Sequence, residues 1–247
     1  MQFDLRNSSP TKLFTCSLFS ENKHPIRLNS IVIDPRNPNY FSVGGFDEYA
    51  RVYDIRQYQS DASVGLDRPV DTFSPRHLIG SDNVHITALA YSVRSELLIS
   101  YNDELIYLFQ KDMGMGPTPT STAPPENSQS MDQPQVYSGH RNAQTVKGVS
   151  FFGPNDEYVV SGSDCGHVYI WKKKGGELVR MMVGDKHIVN CVEPHPCIPF
   201  LATSGFNKSV KLWGPIAKKL APLPKNVEEV CCYICILIVV WINCTVT

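Results

Sequence analysis

Residues 41–56, FSVGGFDEYARVYDIR, contain two short alternating strands joined by a glycine-rich turn. Phe41 and Val43 flank a serine in the first strand, and apolar and polar residues alternate again in the second. Alternation with a period of two on both sides of a Gly-rich turn predicts a β-hairpin. The hairpin ends on YDIR at 53–56. A cation at this end adds nothing to the packing of a sheet, so we expect Arg56 to contact a partner.

The hairpin is part of a unit that recurs along the chain. Each copy combines an alternating strand, a turn, a short apolar strand, a polar turn and a strand that ends on an aromatic residue. The copies are 28–56, 84–110, 144–173 and 187–215, and their closing aromatic residues are Tyr53, Phe109, Trp171 and Trp213. The spacing of the last two matches one four-stranded propeller blade per roughly 40 to 45 residues. We therefore predict an all-β propeller whose blades begin with strands at 28–33, 86–91, 145–151 and 188–192.

Two intervals between the repeats are longer than a blade requires, so they must contain insertions. The first is the polar stretch 57–76 and the second is 111–135, which includes GMGPTPTSTAPPENSQSMDQPQ. The second stretch is too poor in apolar side chains to bury itself. We predict that 111–135 is a disordered loop on the rim of the propeller.

Composition restricts the class of protein. The net charge of -1 and the lack of a basic patch give no general attraction to nucleic acid, so we expect no nucleic-acid partner. The N-terminal sequence MQFDLRNSSPTK lacks the apolar core of a signal peptide. The eight cysteines are scattered or crowded at the C-terminus, unlike a disulfide framework. These features favour an intracellular protein of the cytoplasm and nucleus with reduced thiols.

Motifs for catalysis and metal binding are absent from the sequence. There is no phosphate-binding loop, nucleophile elbow or paired acid motif. Residue types that bind metals occur at Cys191, His195 and Cys197 and again at Cys231, Cys232 and Cys235. Neither group offers the four ligands in paired spacing that a tetrahedral zinc site needs. We predict that the protein is not an enzyme and binds no metal or cofactor.

The repeats resemble those of the WD-repeat propellers, and the third repeat does so most closely. Gly139-His140 precedes it, SGSD at 161–164 forms its turn and Trp171 ends its third strand. The resemblance implies a buried polar chain built from His140, Ser161 or Ser163, Asp164 and Trp171. In such a chain the carboxylate orients the imidazole, which contacts a hydroxyl and then the indole N–H. Its role is structural, because no nucleophile stands beside His140 and Asp164 to make them a catalytic pair.

The YDIR ending at 53–56 resembles the Trp-Asp-x-Arg ending of WD-repeat receptors that dock on the adaptor subunit of cullin-4 ubiquitin ligases. A second copy, FDLR, occupies 3–6. The resemblance implies an adaptor-binding site in which the acids orient the arginines: Asp4, Arg6, Asp54 and Arg56. The planar group of an arginine has five donors that can meet carboxylates or carbonyls in a partner groove. The alternative is that Asp54 and Arg56 form only a local surface pair.

Four longer runs are similar to one member of the cullin-4-associated factor family in particular: 100–109, 139–154, 159–171 and 184–205. This resemblance implies a non-enzymatic substrate receptor that binds the cullin-4 adaptor subunit with one face and an unknown protein substrate with other surfaces. Two alternatives stay open. The chain could be a general WD-repeat scaffold unrelated to ubiquitination, or a nonfunctional truncated fragment.

The repeats do not fill the ring that the resemblance implies. WD propellers close at about seven blades, whereas residues 1–215 supply four repeats and the last strand of a fifth at 2–6, so we predict an incomplete ring. The tail 216–247 departs from the repeat pattern, and 230–242 is apolar throughout. Because crossing a bilayer takes about 20 apolar residues, a short membrane anchor at 230–247 and a non-native reading frame are both open interpretations.

Overall fold

The computed structural model describes residues 6, 10, 14–19, 24–58, 68–119, 133–217 and 223. These residues form four antiparallel sheets. The first sheet contains β1 (Leu28–Ile33), β2 (Tyr40–Gly45), β3 (Ala50–Asp54) and β4 (Asp71–Phe73), and the second contains β5 (Ile86–Tyr91), β6 (Leu97–Tyr101), β7 (Ile106–Phe109) and β8 (Gln135–Tyr137). In each sheet the strands are hydrogen-bonded in chain order, which makes each sheet a blade.

The third and fourth blades follow the same plan. The third contains β9 (Val149–Phe152), β10 (Tyr158–Ser161), β11 (His167–Lys172) and β12 (Leu178–Val183), and the fourth contains β13 (Val189–Pro194), β14 (Leu201–Gly205) and β15 (Lys211–Trp213). Short 3-10 helices occupy Ile55–Tyr58, Arg76–Leu78 and Lys111–Met113. The all-β blade architecture predicted from the repeats is confirmed. The predicted strand at 2–6 lies outside the described residues except for Arg6.

Apolar packing between neighbouring blades forms the core. Val52 and Phe73 of the first blade pack in one cluster with Leu97 and Phe109 of the second. A second cluster joins the second and third blades, and a third joins the third and fourth. Both faces of the second and third sheets are therefore buried, so their strands carry apolar side chains on both sides.

The first sheet also has an apolar outer side. Val32 packs toward the second blade, and because side chains alternate along a strand, Ile31 and Ile33 point the other way. They are 67% and 61% exposed. On the same side Phe41, Val43 and Tyr53 are buried under Phe14 and Cys16, so among the described residues only the β1 edge of this outer side stays exposed.

The strand at 145–151 was predicted too long. The observed strand β9 begins at Val149, because the preceding residues make other contacts. The backbone N–H of Gly148 donates to the carbonyl of Asn190 in the fourth blade at 2.7 Å. The ammonium of Lys147 donates to the carbonyl of Thr145 at 2.7 Å. These contacts replace the ladder hydrogen bonds that a strand would need.

The predicted insertions also contain structure. Strand β4 lies inside the stretch 57–76, and Gln135 at the end of 111–135 begins β8. Residues 111–119 are ordered against β4, contrary to the predicted disorder. The N–H of Met115 donates to the carbonyl of Thr72 at 2.9 Å, and the Thr72 hydroxyl donates to the carbonyl of Gly116 at 2.7 Å. The rest of the predicted loop, 120–132, lies outside the described residues.

A largely buried ion pair links the second and third blades. The ammonium of Lys173 contacts the carboxylate of Glu96, and the two side chains are 12% and 10% exposed. Glu96 also accepts hydrogen bonds from Ser92 Oγ at 2.6 Å and Gln110 Nε2 at 3.0 Å. Burial alone would raise the pKa of Glu96, but these contacts lower it, Lys173 most of all. The carboxylate is therefore held in its charged form at the junction of two blades.

Replacing Lys173 should destabilise the fold because it leaves the Glu96 charge buried without a cation. For Lys173→Met we expect the free energy of unfolding to fall by about 3 kcal/mol. The neighbouring variant Lys172→Met is the matched control, since Lys172 pairs with Glu177 at the surface, with side chains 52% and 66% exposed. Its loss should stay below about 1 kcal/mol. Urea denaturation at pH 7 measures both, and equal losses would contradict the role of the blade junction.

Candidate protein-docking site

Arg56 lies in the 3-10 helix that follows β3, and the last residue of that strand orients it. Arg56 Nε donates to Asp54 Oδ1 at 2.9 Å, and Arg56 Nη2 donates to Asp54 Oδ2 at 2.6 Å. The backbone N–H of Arg56 donates to Asp54 Oδ1 at 3.0 Å. Two parallel charged hydrogen bonds fix both the position and the plane of a guanidinium. The carboxylate therefore sets the direction of the arginine.

The pair is asymmetric in its exposure. The Asp54 side chain is 9% exposed, whereas the Arg56 side chain is 56% exposed. The hydrogen bond from Arg56 lowers the pKa of Asp54 and raises that of Arg56, so both groups stay charged at neutral pH. The guanidinium carbon also lies 5.9 Å from the centre of the Tyr40 ring. An oriented cation is thus presented to solvent.

The strand order places this cation on one face of the blades. Tyr40, the first residue of β2, pairs with Asp54, the last residue of β3. In an antiparallel sheet the ends of β1 and β3 and the starts of β2 and β4 share one edge. We call the side of the molecule formed by these strand ends, and by the equivalent ends in the second blade, the Arg56 face. The turns between second and third strands, which carry Asp47, Asp103, Asp164 and Asn207, lie on the opposite face.

The second predicted docking copy is described only in part. Arg6 is exposed, and Asp4 lies outside the described residues. Further along, the Phe14 ring lies tilted against Tyr53 with ring centres 4.4 Å apart, and Cys16 Sγ lies 3.5 Å from the Tyr53 hydroxyl. The segment before the first blade therefore packs on β3. The adaptor role of Asp4 and Arg6 stays a prediction.

The polar chain predicted for the third blade is not formed. Trp171 Nε1 donates to the backbone carbonyl of Ser138 at 2.9 Å, not to a serine hydroxyl. The His140 ring meets Trp171 edge-on, with centres 5.8 Å apart. Both His140 ring nitrogens are buried and have no hydrogen-bond partner among the described residues. Burial lowers the pKa of His140 to about 4, so the ring is neutral at physiological pH.

Asp164 binds a lysine in place of the histidine. Its carboxylate forms an ion pair with Lys147, whose side chain is 0% exposed. Asp164 Oδ2 also accepts the N–H groups of Ala143 at 2.6 Å and Gln144 at 2.9 Å. A buried carboxylate needs a cation or several donors, and Lys147 meets that need more fully than a neutral imidazole. The sequence pattern missed this residue, because Lys147 and Asp164 are distant in the sequence and only the fold brings them together.

The two predicted serines close the surrounding loops. Ser163 Oγ accepts the N–H of Arg141 at 2.9 Å, which fixes the segment after His140. Ser161 Oγ donates to the carbonyl of Gly162 at 3.0 Å. The structure thus brings the predicted residues into one region but gives each of them a different partner.

The fourth blade contains the indole–hydroxyl contact that was predicted for the third. Trp213 Nε1 donates to Thr203 Oγ1 at 2.9 Å. Asp185, which stands where the pattern expects a histidine, accepts the N–H of Asn207 at 3.0 Å and lies 3.9 Å from the Lys211 ammonium. In this blade the carboxylate therefore lies in the loop before β13 and not in the turn after β14. It still connects the two segments through its hydrogen bond with Asn207.

In the first blade, Arg51 and Asp47 form the equivalent buried pair. Arg51 Nη1 donates to Asp47 Oδ1 at 2.9 Å, and Arg51 Nη2 contacts the other carboxylate oxygen. The side chains are 1% and 3% exposed. Three blades therefore bury a carboxylate with a cation beneath the opposite face.

The unpaired His140 ring should make stability depend on pH. Its pKa is about 4 in the folded protein against 6.5 when unperturbed, so between these values the unfolded chain binds more protons. Stability is complete above pH 6.5 and falls with pH through this window, by about 2 kcal/mol at pH 5. In His140→Leu this component is lost, and its free energy of unfolding should match the native value within about 1 kcal/mol at pH 7.5.

Urea denaturation of both proteins at several pH values between 4.5 and 7.5 gives the comparison. The other titrating groups are common to the two proteins and cancel in the difference. We expect His140→Leu to become the more stable protein as the pH falls. Parallel curves over the whole range would contradict the assignment.

Groups suited to metal binding do not assemble in the described part of the chain. No three His, Cys, Asp or Glu side chains come together there in a way that could hold a metal ion. His195 Nδ1 accepts the N–H groups of Cys197 at 3.1 Å and Ile198 at 3.2 Å.

Along 14–19, 24–58, 68–119 and 133–217, no helix combines the length and apolar character that crossing a membrane requires. The apolar tail 230–247 lies outside the described residues.

Comparison with protein families gives matches in the third and fourth blades. The model for the WD domain, G-beta repeat, matches residues 131–172 and 176–214. The chain carries WD40 repeats. The first match begins before β8 and ends in β11, and the second runs from β12 to β15. Each repeat therefore supplies the outer strand of one blade and the three inner strands of the next.

The similar curated proteins are larger than this chain. DDB1- and CUL4-associated factor 6 from Homo sapiens is 43% identical over 96 residues, which are 38% of this chain and 11% of that protein. WD and tetratricopeptide repeats protein 1 from Mus musculus is 52% identical over 80 residues, 32% of this chain and 12% of that protein. Protein ALTERED SEED GERMINATION 2 from Arabidopsis thaliana is 38% identical over 109 residues, 40% and 14% of the two chains. The matched regions thus span only about an eighth of these relatives.

Solved structures support the fold. The RRP9 WD40 repeats have a TM-score of 0.56 with 16% identity, over 77% of this chain and 48% of that chain. The structure of U3-55K gives the same TM-score and identity, over 77% and 49%. At this level of identity the likeness concerns the WD-repeat propeller architecture alone.

Proposed function

We propose that this chain is a non-enzymatic protein-binding module that serves as a substrate receptor of a cullin-4 RING ubiquitin ligase. It docks on the adaptor subunit through the Arg56 face and holds a protein substrate on other surfaces. The observation that carries the proposal is the Asp54–Arg56 pair, an oriented cation 56% exposed at the end of a blade strand. The name of the human relative, which contains DDB1 and CUL4, points to the same partners.

An arginine in this setting is a suitable anchor for a protein interface. Its orientation is fixed before binding by the carboxylate of Asp54, so little conformational entropy is lost when a partner accepts its donors. Arginines of this kind are among the residues that dominate binding energies. A pair that served only the local fold would gain little, because exposed ion pairs contribute about 0 to 1 kcal/mol.

The finer assignments follow from the sequence resemblance. Within the cullin-4-associated factors we propose the factor numbered eight as the nearest in kind, from the runs at 100–109, 139–154, 159–171 and 184–205. Asp4 and Arg6 would provide a second docking arginine of the same type. Such a receptor would work in the cytoplasm and nucleus.

The docking proposal predicts a specific loss on removal of the arginine. Arg56→Ala should weaken binding to DDB1, the partner in the relative's name, at least about 30-fold, which corresponds to roughly 2 kcal/mol. The fold should be retained, because the side chain is exposed. Biolayer interferometry on immobilised DDB1 measures the affinity, and thermal unfolding verifies the fold.

Arg141→Ala is the matched control. Arg141 is exposed and follows the loop on the opposite face, so its removal takes away the same charge without touching the docking site. Equal affinities of the native chain and both variants would refute docking through Arg56. A folded native chain that does not bind DDB1 at all would leave a WD-repeat scaffold without a ligase.

A further inference from the structure

A cavity of about 250 Å³ opens between the first and second blades on the Arg56 face. Its lining comes from strand ends at that edge: Asp34, Tyr40 and Asp71 from the first blade, and Tyr91, Leu97, Phe109 and Lys111 from the second. Tyr40 is also the ring beside the Arg56 guanidinium. The cavity and the docking arginine are therefore neighbours on one surface.

Apolar side chains line the deeper part of the cavity. Val52, Phe73, Leu97 and Phe109 border it, and all four belong to the buried cluster between the two blades. Pockets for whole small molecules enclose about 300 to 1,000 Å³, so this cavity suits a single side chain. The aliphatic part of a long side chain would pack against these apolar walls.

Asp34 contributes a buried charge to the same cavity. The residue is 7% exposed, and its Oδ1 accepts the Ser95 hydroxyl at 2.7 Å and the Arg36 N–H at 2.9 Å. Its Oδ2 has no hydrogen-bond partner among the described residues. This oxygen is not among the buried polar atoms that lack a partner, so it stays open to solvent and can accept a charge-assisted hydrogen bond from a cationic donor.

Asp71 repeats this arrangement at the start of β4. Its Oδ1 accepts the N–H groups of Thr72 at 2.9 Å and Gly116 at 2.8 Å, while Oδ2 makes no hydrogen bond to any residue in the described ranges. Lys111 also lines the cavity, but it is exposed and forms no ion pair within the described part of the chain. The lining thus carries two carboxylates against one cation.

We propose that this cavity binds the side chain of a lysine or arginine that the adaptor subunit inserts when it docks on the Arg56 face. The proposal rests on the proposed function for the source of the side chain. A basic residue combines an aliphatic stem with a charged head, which matches apolar walls and two carboxylate oxygens that make no hydrogen bond to a described residue. Arg56 and the cavity would then form one interface with a donating cation and an accepting acidic pocket.

The cavity can be tested without the adaptor. The probes are N-acetyl-lysine N-methylamide and the norleucine analogue, which has the same stem without the charge. NMR titration of the 15N-labelled chain should show saturable shifts at the amides of Phe73, Ser95 and Leu97 with the lysine probe. We expect at least ten-fold weaker binding of the norleucine probe.

A double variant tests the carboxylates. Asp34→Asn with Asp71→Asn keeps the Oδ1 acceptors, so the fold should hold while affinity for the lysine probe falls at least ten-fold. Asp82→Asn with Glu193→Gln makes the same charge change at exposed positions and should leave affinity unchanged. Equal binding of both probes, or the absence of shifts around the cavity in the native chain, would overturn the proposal.

Binding to DDB1 then identifies the source of the side chain. If the Asp34→Asn, Asp71→Asn double variant binds DDB1 at least five-fold more weakly than the native chain, the adaptor supplies it. Unchanged DDB1 affinity would rule the adaptor out as the source. If the native chain does not bind DDB1, the proposed function fails and the adaptor with it, and the lysine probe alone decides whether the cavity recognises basic side chains.

Discussion

The structure depends on apolar packing between neighbouring blades. Val52 and Phe73 meet Leu97 and Phe109 across the first junction, and similar clusters join the later blades. A repeat unit of this kind cannot bury its apolar faces alone and needs a neighbouring unit stacked against it. Each blade therefore needs its neighbour, and the strand ends that carry functional groups are held in place by contacts made between blades.

The two faces of the molecule differ in how fully their charges are paired. Beneath the opposite face, the carboxylates of Asp47 and Asp164 are matched by Arg51 and Lys147, so those turns are neutralised internally. On the Arg56 face, Asp34 keeps an oxygen without a partner among the described residues, and Arg56 is more than half exposed. The Arg56 face also contains a neutralised pair, Glu96 with Lys173, but it retains in addition charges that a partner can use.

The sequence predicted the parts of the fold that depend on local pattern. The strands at 28–33 and 86–91 were correct to the residue, because an alternating apolar period of two is a direct consequence of packing on a sheet. The outer strand β4 was missed in 57–76, since a three-residue strand held mainly by backbone hydrogen bonds leaves little periodicity. Lys147 was missed because its partner is set by distance in the fold, and the cavity was missed because two separate sheets form it.

The offset between repeats and blades has a mechanical consequence. Segment 131–172 adds β8 to the second sheet before it builds three strands of the third, and the chain likewise passes from β4 directly into the second blade. The chain thus connects the outer strand of each sheet to the first strand of the next sheet. Separating two blades would therefore require breaking the hydrogen bonds that hold this outer strand. Junctions of this kind resist sliding and splaying alike. The cavity between the first and second blades should therefore keep a nearly constant width, because the two sheets that form its walls are held together by the connecting chain.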